Sequence, residues 1–142
     1  MYYNEDKSTL VVKDLWQYPE RDEEGELLYR AMEKGVINIA RYYHHETIQS
    51  YAPSTPNRIH RRLIVQDYGR PIYKASSRVA LLAALEGCID GYESLYQASI
   101  LQRDISPNNL MINEDKESAS WKAFIIDLDL AINKDREDAS GV

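Results

Sequence analysis

The sequence predicts an α+β fold, and three observations carry that reading. Segments rich in Val, Ile and Thr cluster in the first half of the chain. A long central segment places apolar residues at three- and four-residue steps. Two short apolar runs then bracket a polar stretch near the C-terminal end. With 142 residues, 44% of them hydrophobic and 28% charged, the chain is long enough for one domain with a core, or a small lobe and part of a larger one.

In chain order, Thr9 to Leu15 reads as a strand with Lys13 near its end. Glu20 to Met32 reads as a helix: acidic residues crowd its first turns, where the helix dipole favours them, and Gly35 stands where a C-terminal stop belongs. Val36 to Tyr43 and Leu63 to Gln66 read as two further strands, separated by a polar loop containing Pro53 and Pro56. Asp67-Tyr68-Gly69-Arg70-Pro71 breaks the pattern. Ser76 or Ser77 caps the next helix, which runs to about Ala98, with Leu82, Leu85, Ile89, Tyr92 and Tyr96 marking its buried face. Leu110 to Ile112 and Ala123 to Ile126 are short strands around the polar insertion Asn113 to Ser120, and the tail from Asn133 to Val142 reads as disordered.

Composition excludes several functions. A net charge of -6 is the wrong footprint for a nucleic-acid binder. The longest apolar run, Ala80 to Leu85, is far too short to cross a bilayer, and the polar N-terminus is no signal peptide. A lone Cys88 forms no internal disulfide and suits a reducing compartment, so cytosol or nucleus is the expected location. His44-His45-Glu46 is discounted as a metal site because adjacent side chains diverge on a strand. The basic cluster of Arg58 with His60-Arg61-Arg62 reads as a solvated loop.

The chemistry concentrates in two stretches. One is Leu101-Gln102-Arg103-Asp104-Ile105-Ser106-Pro107-Asn108-Asn109, with an Asp and an Asn five residues apart. Taken alone it is an ordinary Asx-rich turn, but apolar Ile100-Leu101 and Leu110-Met111-Ile112 pin it to the edge of a core. The other is Phe124-Ile125-Ile126-Asp127-Leu128-Asp129, where a carboxylate ends a buried strand. An unpaired carboxylate is costly there, and a cation on it is the simplest explanation.

With these residues in view, the chain resembles the fungal-type protein kinase family, a divergent branch of the protein kinase fold. The resemblance rests on Ile100 to Ile112, Phe124 to Ala131, Leu63 to Ile72, Val11 to Trp16 and Glu23 to Leu28, which arrive in family order and span most of the chain. It implies a partial kinase-like fold: residues 1–66 as an incomplete N-lobe, 67–71 as the hinge, and 72–132 as part of the C-lobe with catalytic loop and metal-binding turn. It further implies ATP and magnesium as cofactors and transfer of the γ-phosphoryl to a protein Ser or Thr hydroxyl. Asp104 would be the catalytic base, and Asn109 and Asp127 the metal ligands. Lys13 would contact the ATP phosphates and Glu24 would be its ion-pair partner, with Glu23 and Glu26 as competitors. Gln66, Asp67 and Tyr68 would line the adenine pocket.

The chain departs from the general kinase pattern. Gln102 replaces the usual His, Leu128-Asp129 replaces Phe-Gly, and Ser106 stands where many Ser/Thr kinases carry Lys. Twelve residues precede Lys13 and thirteen follow Asp129, so a glycine-rich loop and an activation segment are expected to be missing. The same residues therefore also fit a pseudokinase or nucleotide-binding interaction module, or a non-functional kinase fragment. The Ile-Asp-x-Asp ending is shared with small-molecule kinases, against which Arg103 argues.

Overall fold

The computed structural model describes residues 2–3, 9–49 and 58–134. The loop expected around Pro53 and Pro56 and the tail residues 135–142 lie outside them. The chain runs β1 (Tyr2–Tyr3), β2 (Thr9–Gln17), α1 (Glu24–Glu33), β3 (Tyr42–Gln49), β4 (Ile59–Val65) and β5 (Arg70–Pro71), followed by a 3-10 turn at Ile72–Lys74. Then come α2 (Arg78–Gln97), β6 (Ile100–Leu101), a second 3-10 turn at Pro107–Asn109, β7 (Leu110–Ile112), β8 (Ala123–Ile125) and β9 (Ile132–Asn133). The expected α+β class is the class this chain adopts.

One antiparallel sheet has the order β1-β2-β4-β3, with Lys13 of β2 opposite Leu63 of β4. A second, β5-β7-β8, sets Leu110 against Ile125 and Pro71 against Met111. The two sheets meet where residues 38–40 run beside β8: Ala40 N–H donates to Ile125 O at 3.1 Å, and Ile125 N–H donates to Asn38 O at 3.0 Å.

That junction corrects one expected strand. Val36 to Arg41 does not join the first sheet, because Asn38 has φ 54 and turns the chain towards β8; the strand starts at Tyr42. The expected helix from Glu20 also starts later, at Glu24, since residues 18–21 form a turn closed by Arg21 N–H on Tyr18 O at 3.1 Å. Its end is as expected. Gly35 at φ 70, with Gly35 N–H on Met32 O and Val36 N–H on Ala31 O, closes α1 in the left-handed manner glycine allows.

Helix α2 is capped by Ser77, whose hydroxyl accepts from Ala80 N–H at 3.1 Å. Its buried face is not the large-residue stripe. Leu82, Ile89, Tyr92 and Tyr96 are exposed, Leu85 is half-buried, and the buried positions are Ala84, Cys88, Gly91 and Leu95. The reason is close approach: a Cβ on Gly91 would lie 2.6 Å from Asn38 O, and Asn38 Nδ2 donates to Gly87 O at 2.7 Å. Small residues let α2 lie against the junction and β8, beneath a core that includes Leu95, Phe124, Ile125 and Leu128. Asn133, expected to open a disordered tail, pairs with Ile100 in the β6-β9 ribbon.

Candidate functional site

Three elements bring charged groups to one point. Lys13 projects from the middle of β2, Glu24 opens α1, and Asp127 follows β8. Lys13 Nζ lies 2.8 Å from Glu24 Oε2 and 3.1 Å from Asp127 Oδ1. Glu24 is almost fully buried, and its second oxygen accepts from Leu128 N–H at 2.9 Å. Of the competing acids, Glu26 lies beside Arg30 at 3.3 Å, and Glu23 faces His45 and Arg61 at 3.9 and 3.7 Å.

Burial pulls the Lys13 ammonium towards neutrality, but the Glu24 and Asp127 carboxylates outweigh it and hold its pKa above the ordinary lysine value. Burial pushes Glu24 above the usual carboxylate range, and the Lys13 charge with the Leu128 N–H offsets only part of that. The cation and the buried acid thus depend on each other.

The loop that carries Asp104 and Asn109 joins the turn after β8. Asn109 is buried on the second 3-10 turn, and its Nδ2 donates to both Asp104 O and Asp104 Oδ2 at 3.2 Å. Gln102 is fully buried, and both ends of its amide are used. Nε2 donates to Asp127 O at 2.9 Å, and Oε1 accepts from Asp104 N–H at 2.6 Å. The amide therefore ties the loop carrying Asp104 to the turn carrying Asp127, and this is how the chain accommodates Gln where an imidazole is usual. Arg103 and Asp127 flank this tie in left-handed backbone conformations, φ 68 and φ 69. Leu128 fills an apolar slot completely.

A cavity of about 250 Å³ opens beside the charged cluster. Val11, Ala40, Leu63, Val65, Met111 and Ile126 give it an apolar lining, to which Lys13, Glu24 and Asp127 and the consecutive Asp67, Tyr68 and Gly69 also contribute. An apolar slot with a few convergent polar groups is the general form of a small-molecule site. Of the expected adenine-pocket residues, Asp67 and Tyr68 line it and Gln66 does not; Gln66 is exposed and its Nε2 donates to Tyr42 O at 2.9 Å. The Asp67 side chain is fully committed, accepting from Arg41 N–H at 2.6 Å, from the Arg41 guanidinium at 2.9 and 3.1 Å, and from Trp121 N–H at 2.9 Å. Asp67 thus anchors the 67–71 segment to Arg41 and Trp121. This role was missed in the sequence, where nothing near Asp67 reveals Arg41 or Trp121.

The oxygens fit a small hard cation. Among the described residues no cluster of three or more His, Cys, Asp or Glu forms a protein-only metal cage. Magnesium uses one or two protein oxygens and completes its shell with water and phosphate, and the Asp127 carboxylate and the Asn109 amide oxygen are donors of that chemical type.

The family model described as fungal protein kinase matches residues 2–56 and 50–142. The chain belongs to the fungal protein kinase family. In fold, this fungal-type kinase chain is similar to the solved structure of the Cydia pomonella granulovirus kinase PK-1, with a TM-score of 0.60 at 14% sequence identity. The match covers 89% of this chain and 44% of the viral kinase, so the chain spans less than half the length of that protein. No curated protein matches it. Among the described residues of this kinase-family chain, no helix is long and apolar enough to cross a membrane.

Proposed function

We propose that the chain is the nucleotide-binding and catalytic-loop portion of an ATP- and magnesium-dependent phosphotransferase acting on protein Ser or Thr hydroxyls, in the cytosol or nucleus. The observation that carries this is the Lys13–Glu24–Asp127 cluster at the side of the apolar cavity, with Asp104 and Asn109 tied to it through Gln102. In this reading residues 1–66 are part of an N-lobe, 67–71 the hinge and 72–132 part of a C-lobe with the catalytic loop and metal-binding turn.

Each side chain has one task. Glu24 holds Lys13, and Lys13 attracts the ATP phosphates. Asp127 and Asn109 offer oxygens to magnesium, and the apolar wall with the Asp67–Gly69 backbone receives the base. Asp104 orients the acceptor hydroxyl and takes its proton. Magnesium, when bound with ATP, offsets the charge that builds on the phosphate oxygens during transfer. Phosphoryl transfer depends mostly on positioning and charge neutralisation, which is why a preassembled cluster supports the reading.

The test is a thermal melt of the 142-residue chain with and without excess Mg-ATP. Binding to the folded state alone raises its stability by RT ln(1 + [L]/Kd), so the transition is expected to move upward with ligand. A ligand-insensitive melt overturns the reading. A shift without protein phosphorylation, unchanged by Asp104→Asn, marks a nucleotide-binding interaction module instead.

A further inference from the structure

The turn after β8 is held at three successive residues, and one of the holders belongs to no part of the site described so far. Lys13 holds Asp127, Glu24 holds the Leu128 N–H, and Gln17 Nε2 donates to Asp129 Oδ1. Gln17 lies four residues beyond Lys13 on β2, so both side chains leave the same face of the strand. It is nearly fully buried, and its Oε1 accepts from Arg61 NH1 on the neighbouring strand β4 at 2.7 Å, which fixes which end of the amide faces Asp129. Asp129 N–H in turn donates to Asp127 Oδ1 at 3.2 Å.

We propose that Gln17 is a positioning residue: through Asp129 it presets the orientation of the Asp127 carboxylate for the metal-bound nucleotide. Asp127 has φ 69, a backbone state that a non-glycine residue keeps only when its surroundings enforce it. Lys13 and Gln17 form a two-point clamp from one strand onto carboxylates two residues apart, so the turn can neither swing nor roll. The clamp also gives Asp129 a reason to stand where kinases usually carry glycine: a glycine has no group for Gln17 to grip. The metal part of this inference rests on the nucleotide-site reading above; the clamp itself does not.

The test is an exchange of partners in the full chain. Gln17→Glu keeps the size of the side chain and its bond from Arg61 but turns an acceptor towards Asp129. Adding Asp129→Asn restores a donor–acceptor pair. Two readouts are taken: amide hydrogen exchange of Leu128 and Asp129 without ligand, and affinity for Mg-ATP against ATP in a chelator. Gln17→Glu is expected to speed the exchange and weaken Mg-ATP binding by about tenfold each, the scale of one lost charge-assisted hydrogen bond, while metal-free ATP binding stays within about twofold. The double variant returns both to wild type. Unchanged exchange in Gln17→Glu, equal weakening of both nucleotide forms, or no recovery in the double variant overturns the proposal. If the wild-type chain binds neither nucleotide form, the nucleotide-site reading fails separately, and the exchange cycle by itself upholds or overturns the clamp.

Discussion

Lys13 and Asp127, 114 positions apart in the chain, are joined by a 3.1 Å ion pair, and the same ammonium lies 2.8 Å from buried Glu24. One cation thus ties the first sheet, the first helix and the turn after β8. Lys13→Met leaves Glu24 buried without its counter-charge and is expected to lower unfolding stability by about 1–3 kcal/mol. That is less than for a fully buried pair because Lys13 is a third exposed. Urea titration reads that loss, and the Mg-ATP shift of the melt is expected to vanish in the same variant.

The sign of the pH dependence follows from the raised pKa of Lys13. A cation whose folded pKa exceeds its unfolded value contributes fully below the ordinary lysine value of 10.5 and is lost as pH rises through the folded value. The stability difference between wild type and Lys13→Met is therefore expected to change little on the Lys13 account from neutral pH to 10, then to shrink above the lysine range. A difference that collapsed between pH 7 and 9 would show that Lys13 does not hold this charge.

Gln102→Leu removes both hydrogen bonds of a fully buried amide, stranding the Asp104 N–H and the Asp127 carbonyl. The expected cost is about 2–4 kcal/mol, the sum of two such losses. Gln102→His is expected to recover part of it, because an imidazole can still donate to Asp127 O. Chemical denaturation of the three proteins checks the order wild type, His variant, Leu variant.

Asp104→Asn is expected to leave the fold intact, because Asn109 Nδ2 also donates to the Asp104 backbone oxygen, which the substitution keeps. Any phosphotransfer by the chain, alone or within a longer protein, is expected to fall by about 10²–10⁴-fold, the usual worth of a proton acceptor. Nucleotide affinity is expected to stay unchanged. A rate equal to wild type in a steady-state assay would remove Asp104 from the base role.

Glu114 closes a latch outside the cavity, accepting from the Ser76 hydroxyl at 2.5 Å, from Ser76 N–H at 3.1 Å and from Arg70. The Ser76 hydroxyl first, and then Arg70, hold its carboxyl below the usual range. A lowered carboxylate stabilises the fold above its unfolded pKa, ordinarily 4.5, and that contribution is lost as pH falls through the lower folded value. Glu114→Gln is therefore expected to flatten the acid limb of a melting-temperature profile below pH 4.5 and to leave its shape near neutrality unchanged.

Local signals were legible in the sequence wherever a few adjacent residues set the outcome. Gly35 ends α1 because the left-handed closure needs glycine, Ser77 caps α2 through its own hydroxyl, and the apolar runs of β7 and β8 pair as expected around a polar insertion. The segments carrying Asp104, Asn109 and Asp127, singled out by their spacing, are hydrogen-bonded together through Gln102. Glu24, expected as the partner of Lys13 ahead of Glu23 and Glu26, is the acid that pairs with it: Leu27 and Leu28 follow it at three- and four-residue steps and are buried, which turns Glu24 to the same inner face of α1.

Long-range packing decided the rest. The large apolar residues of α2 marked one face, but the helix buries the neighbouring one, because Gly91 and Gly87 admit the Asn38 junction and Ala123 of β8 more closely than larger residues would. Asp67 anchors its segment only because Arg41 and Trp121 meet there. Gln17 was silent in the sequence, and Gln102 stood out only as a departure from the usual His, because an amide advertises nothing until burial removes water and leaves each of its hydrogen bonds to be found within the protein. Sequence alone determined which chemical groups this chain carries and which short segments order themselves; tertiary structure decided which of those groups face one another, since that depends on contacts between residues as far apart as Lys13 and Asp127.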